Sequence, residues 1–300
     1  MPKKSKKEKK APNIVVFLVE GESDQIALET GLSELIFSAF PDYEVRFFLQ
    51  QHLVNSDGDE LDDSNDAADD FIEDDEDDFI EDARYELGGD ITSSSVVTPK
   101  NIETKITNRF IMPAVKGGGG FYEKKIVRII QIVDLDGTFL TEDHITSLAT
   151  DRSDWKGLFY NDAFGVIETD NRENTLDRND RKQKNLNYLL SLTATGIKIK
   201  SSTIPYEIYF FSRDLDHFIN HDPNMKSSKR YHADRFNRAY GLFSERFCKY
   251  FFEDPGAIGH MGYYESWDEV KRGANSVKRF TNLDYLIRKL LNEAEKNEEK

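Results

Sequence analysis

Apolar residues collect in four short runs, Asn13–Val19, Tyr43–Leu49, 129–133 and Tyr206–Phe211. Each is rich in Val, Ile, Phe or Tyr and bounded by polar or Gly-containing segments, the pattern of strands buried on both faces. Between and after them the apolar positions return at helical spacing. Leu28, Leu32, Leu35, Ile36 and Ala39 predict a helix with Ser23 as N-cap and Asp24 in its first turn, ending before Pro41. Ile102, Ile106, Phe110 and Ile111 predict a second over 99–111. Leu186, Leu189, Leu190 and Leu192 predict a third, whose first half is the charged segment 171–184.

Beyond the last strand the pattern is helical. Phe236, Ala239, Tyr240, Phe243, Phe247, Tyr250 and Phe251 form an apolar stripe ended by Pro255-Gly256, read as core. Leu283, Leu286, Ile287, Leu290 and Leu291 form a final amphipathic helix with Asn282 as its cap. Strands alternating with helices predict an α/β domain over 13–220 with a mostly parallel sheet, followed by a helical region over 221–300.

Charge changes this picture in one place. Of the chain's net charge of -16, about -17 sits between 57 and 90, where 18 Asp and Glu face one Arg. The remainder is close to neutral. Self-repulsion and the scarcity of apolar residues predict a disordered acidic insert over 56–92, read as a solvated insert or else as a mimic of nucleic-acid charge or a mask over a basic site in cis; a protein partner would meet this insert or the helical C-terminal region. A Lys-rich tail over 1–12 is likewise expected to be disordered, and the glycines 117–120 read as a linker. One cysteine, Cys248, excludes an intramolecular disulfide framework and a Cys-based zinc cluster; it reads as a small core residue. No apolar run is long enough for a membrane span, and a cytoplasmic protein is expected.

The candidate chemistry lies where strands end. The third apolar run closes in Asp134-Leu135-Asp136-Gly137. Strand alternation would place both aspartates on one side, at the sheet edge where α/β proteins bind ligands. Two such close carboxylates call for a cation, typically Mg2+ with water and phosphate; solvated turn residues are the alternative. Glu20 occupies the same kind of position after the first strand, followed by Glu22 and Asp24. After the last strand, Arg213 is a candidate to bind phosphate, and Asp216 or His217 to assist a metal, with loop or capping residues as the alternative. Arg178, Arg181 and Lys182 on the third helix, and Arg235 and Arg238 further on, are candidate contacts to a nucleic-acid backbone, with a solvated helix face as the alternative.

Val19-Glu20-Gly21 and Asp134-Leu135-Asp136, in this order and context, resemble the motifs of the Toprim (topoisomerase–primase) superfamily, and Asp24 resembles a further acid found in its V-E-G-x-x-D variants. The resemblance covers roughly 13–217. It implies a Rossmann-like sheet and a Mg2+ or Mn2+ site built from Glu20, Asp134 and Asp136, acting on the phosphodiesters of DNA or RNA. Glu20 would serve as a ligand or as general acid or base. No topoisomerase or primase partner domain is visible, so the likeness is to stand-alone nuclease members, including those of phage defence. No residue is matched to the lysine that some of those nucleases add.

Val133-Asp134-Leu135-Asp136-Gly137-Thr138 also resembles the first motif of haloacid-dehalogenase-type phosphatases, with Asp134 as nucleophile, Asp136 as acid/base and Ser212 as second motif. That reading lacks a later strand ending in acids and leaves Glu20 without a role. A non-catalytic Toprim-like binding protein is the third reading.

Overall fold

The computed structural model describes residues 12–50, 90–112, 125–161, 163–224 and 228–298. The Lys-rich tail, the glycines 117–120 and nearly all of the acidic insert lie outside them.

The four apolar runs form one sheet. Strands β1 (Asn13–Val19), β2 (Tyr43–Leu49) and β3 (Ile126–Asp134) precede two small all-β pieces. The first piece is β4 (Ile145–Ser147), β5 (Leu158–Asn161) and β6 (Val166–Thr169); the second is the hairpin β7 (Ile197–Ile199) and β8 (Ser202–Ile204). The last strand is β9 (Tyr206–Phe211). The main sheet runs β2-β1-β3-β9, parallel throughout. The small strands were not expected: at three or four residues each they carry too little periodicity to stand out.

Helices cover both faces, which is why the strands are apolar on both sides. On one face, Ile14, Val16, Leu18 and Phe210 meet Leu186 and Leu189 of α3 (Arg172–Thr195), with Trp267 and Val270. This layer includes the short α2 (Ile102–Ile106), which continues as a π-turn to Ile111. On the other face, Val15, Phe17 and Ile130 meet α1 (Glu22–Ala39), α6 (Ser244–Glu253) and α8 (Leu283–Glu298). Between them in the chain lie α4 (Leu215–Asn220), α5 (Lys229–Phe236) and α7 (Tyr263–Val270). No helix of the described residues is long and apolar enough to cross a membrane.

Three local expectations are corrected. Helix α1 starts at Glu22, with extended Gly21 rather than Ser23 as its cap. Asn282 does not cap α8: its Oδ1 accepts the Phe210 N–H at 2.9 Å and its amide donates to Ser266, while Thr281 Oγ1 accepts the Leu283 N–H. The aromatic stripe is core at Phe236, Phe247 and Phe251, but a π-turn over Asn237–Gly241 breaks the helix and leaves Ala239 and Phe243 exposed. Cys248 is a buried free thiol, and burial pushes its pKa up to about 11.

Candidate functional site

Glu20 follows β1 directly and Asp134 ends β3, its parallel neighbour. From β1 the chain crosses to β2 on one side and then from β2 to β3 on the other side of β1, so these two acids stand at the switch point where open α/β sheets bind ligands. Glu20 Oε1 accepts the Asp134 N–H at 2.8 Å, tying the two strand ends together. Asp24 reaches back from the first turn of α1 to accept the Gly21 N–H at 3.0 Å, the carboxylate half of a capping box.

The aspartate pair does not follow strand alternation. The strand ends at Asp134, and Asp136 and Gly137 both take left-handed backbone, φ 47° and 70°. A non-glycine residue in this region carries strain of the sort held at functional turns. The surroundings hold it there: the Asp136 N–H donates to the Arg213 carbonyl, and Arg178 donates to the Asp136 carbonyl, each at 3.1 Å. The two side chains therefore meet different partners.

Asp136 meets Lys182. This lysine, expected either to contact a nucleic-acid backbone or to lie on a solvated helix face, is instead fully buried. Its ammonium lies 2.8 Å from Asp136, 2.6 Å from Asp90 and 3.7 Å from Glu20. The correction has a legible cause. Lys182 sits four and seven residues before Leu186 and Leu189, on the buried face of α3, so it is inside by periodicity despite its charge. Asp90, read as the last acid of a disordered insert, belongs to the folded body: it accepts from the Thr92 N–H at 2.8 Å, and Ile91 enters the core. Nothing local distinguishes it from the acids before it.

Burial, then like charge, sets the proton affinities. Glu20 is held well above the usual carboxylate range by burial and by Asp90, Asp136 and Asp24, against the pull of Lys182. Asp134 is raised in the same way by burial, Glu20, Asp24, Asp214 and Asp136. Burial, opposed by the Gly21 N–H, pushes Asp24 up to about 6. Asp136 goes the other way: burial alone would raise it, but Lys182 and Arg178 hold it low.

The loop after β9 completes the surroundings. Asp214 caps α4, accepting the His217 N–H at 2.6 Å, and pairs with Arg213, whose guanidinium stacks 3.6 Å over Tyr160. Asp216 and His217 are buried beneath. Burial pushes Asp216 up to about 7 and His217 down to about 4. Lys229, exposed at the start of α5, is raised above its ordinary value: the desolvation of its ammonium opposes this, and Asp214, Asp216, Asp134 and Asp136 outweigh it. Asp90, Asp214, Tyr160 and Lys229 were all missed in the sequence, since only the fold brings them here. Of the other predicted residues, Glu22 is exposed and pairs with Arg230, and Arg181 is half-buried against the Ser93 carbonyl. Arg235 and Arg238 lie further out, exposed.

The donor chemistry suits a hard divalent cation. Among the described residues no three His, Cys, Asp or Glu converge as a ready cation cage. The arrangement is a pair, Glu20 and Asp134, within an excess of carboxylates over cations. Mg2+ commonly takes such a partial set, completing its shell with water and phosphate. The phosphatase features are less well served: the Ser212 hydroxyl is bonded to the Lys278 carbonyl and the Phe280 N–H, and among the described residues no main-sheet strand follows β9.

No protein-family model, curated protein or solved structure matches the chain.

Proposed function

We propose that this protein hydrolyses phosphodiester bonds of nucleic acid at a Toprim-like site on the switch point, with Mg2+ or Mn2+ as cofactor. The observation that carries the reading is the hydrogen bond from the Asp134 N–H to the Glu20 carboxylate across adjacent parallel strand ends, with Glu20 raised by burial and Asp90, and Asp134 by burial and Glu20. Such an excess of partly buried negative charge is relieved by a cation. Glu20 and Asp134 would hold it; when bound, it supplies Lewis-acid polarisation of a phosphoryl oxygen and a more acidic water.

The chain's own groups have separable tasks. Lys182 keeps Asp136 ionised and the strained turn in place. Glu20, ionised once the cation is bound, would fix it at the end of β1 beside Asp134. Lys229 and Arg178, which bring positive charge to these acids, balance the charge of an incoming phosphate.

The test is cleavage of plasmid DNA and a structured RNA with and without Mg2+ or Mn2+, wild type beside Glu20→Ala. Metal-dependent cleavage that disappears in the variant supports the reading. Cleavage that survives Glu20→Ala, or hydrolysis of small phosphate monoesters with neither polymer cut, would overturn it.

A further inference from the structure

A groove of about 540 Å³ lies between α1 and α5, lined by Ile26, Ser228, Arg230, Tyr231, Asp234 and Arg238. Its Arg230 end stands beside the first turn of α1, which follows Glu20. Lys229 begins α5 within electrostatic range of Asp134 and Asp136, and the neighbouring Arg230 is 3.3 Å from Glu22, two residues beyond Glu20. Tyr231 and Arg238 follow along the same groove. Their separation of seven residues spans about 10 Å of helix, or about three steps of a stacked strand.

The lining is that of a strand-binding surface. Tyr231 exposes 62% of its surface although it is a large aromatic residue in a concave site. The two arginines are held by carboxylates, Arg230 by Glu22 and Arg238 by Asp234 at 2.6 Å. Both pairs are solvent-exposed, and such pairs are weak enough to exchange for phosphate at small cost. An exposed aromatic ring between cations stacks an unpaired base, whereas a base inside a duplex reaches such a ring only after unstacking.

We infer that this groove binds single-stranded polynucleotide, stacking a base on Tyr231 between phosphates held by Arg230 and Arg238, and leads the strand into the carboxylate site. The inference rests on the nuclease reading for its direction, and the groove's binding is measured separately from cleavage.

The experiment is fluorescence anisotropy in EDTA, where metal-dependent cleavage cannot occur. The probes are labelled oligothymidylate and oligouridylate of about twelve nucleotides, in the range that single-strand binding surfaces cover, and a duplex of equal length. Single strands are expected to bind about ten-fold or more tightly than duplex, and the two oligomers distinguish DNA from RNA. Tyr231→Ala should weaken binding about ten-fold and Tyr231→Phe should restore it. Arg238→Gln should lower the salt dependence by about one phosphate contact. Equal affinity for duplex, or Tyr231→Ala binding like wild type, would overturn the inference. Tyr231-dependent binding without any metal-dependent cleavage would keep the groove and remove the nuclease reading; metal-dependent cleavage with Tyr231-independent binding would do the converse.

Discussion

The Lys182 ammonium stands 2.8 Å from the Asp136 carboxylate with no exposure to solvent. One acid of the aspartate pair is thus held ionised by the chain itself, while Glu20 and Asp134 are left with raised proton affinity. Removing one partner of a buried ion pair leaves an uncompensated charge, so Lys182→Met should destabilise the fold by about 3–5 kcal/mol in urea unfolding. Lys182→Arg should fail to rescue it, because a planar guanidinium cannot take the place of a compact ammonium among three carboxylates. A Lys182→Met protein as stable as wild type would show that the cluster does not depend on this cation.

Glu20 and Asp134 are predicted to behave oppositely in stability and in activity. Glu20→Gln and Asp134→Asn each remove a carboxylate that burial and its neighbours disfavour, so neither should lower the Tm in EDTA near neutral pH. Each should reduce metal-dependent cleavage on the order of 100-fold or more. Loss of activity accompanied by loss of fold would remove the support for a direct role.

Metal should stabilise the wild-type protein by mass action. At a Mg2+ or Mn2+ concentration about 100 times the Kd, the expected gain is about 2.7 kcal/mol, seen as a rising Tm and reversed by EDTA. In Asp134→Asn the shift should shrink or vanish. A Tm shift as large in that variant as in wild type would place the cation elsewhere.

Asp216 gives a pH dependence of defined sign. Its carboxyl, pushed up to about 7 chiefly by burial, keeps a proton that an unfolded Asp loses near pH 4. Stability is therefore lost as pH rises through that window, because the folded state binds more protons. Asp216→Asn should be more stable than wild type by on the order of 1–3 kcal/mol above about pH 7, and the two should converge below about pH 4. A difference in Tm that does not change over this range would contradict the assignment.

Gly137 is required by the turn that carries Asp136. Its φ of 70° disfavours a side chain, and a Cβ there would lie 2.5 Å from Ile167 and 2.8 Å from Val277. Gly137→Ala should cost about 2–4 kcal/mol from strain and overpacking together. Denaturant unfolding measures it; a change below about 0.5 kcal/mol, the range of ordinary surface substitutions, would mean that the turn rearranges freely.

By itself, the sequence determined what depends on short range. Two-sided apolar runs are visible locally, so all four main-sheet strands and the placement of Glu20 and Asp134 at strand ends were legible, as were α1 and the helical C-terminal region. Tertiary structure decided what depends on contacts across many residues. It set the strand order that makes β1 and β3 neighbours, drew Asp90 out of an acidic run of uniform composition, and brought Asp214 and Lys229 to the same acids. It also turned Asp136 off the strand, because the alternation of side chains stops where the backbone becomes left-handed. Lys182 lies between the two cases. Helical periodicity already placed it on the inner face of α3, but charge argued for solvent; burial prevails because three carboxylates meet its ammonium there.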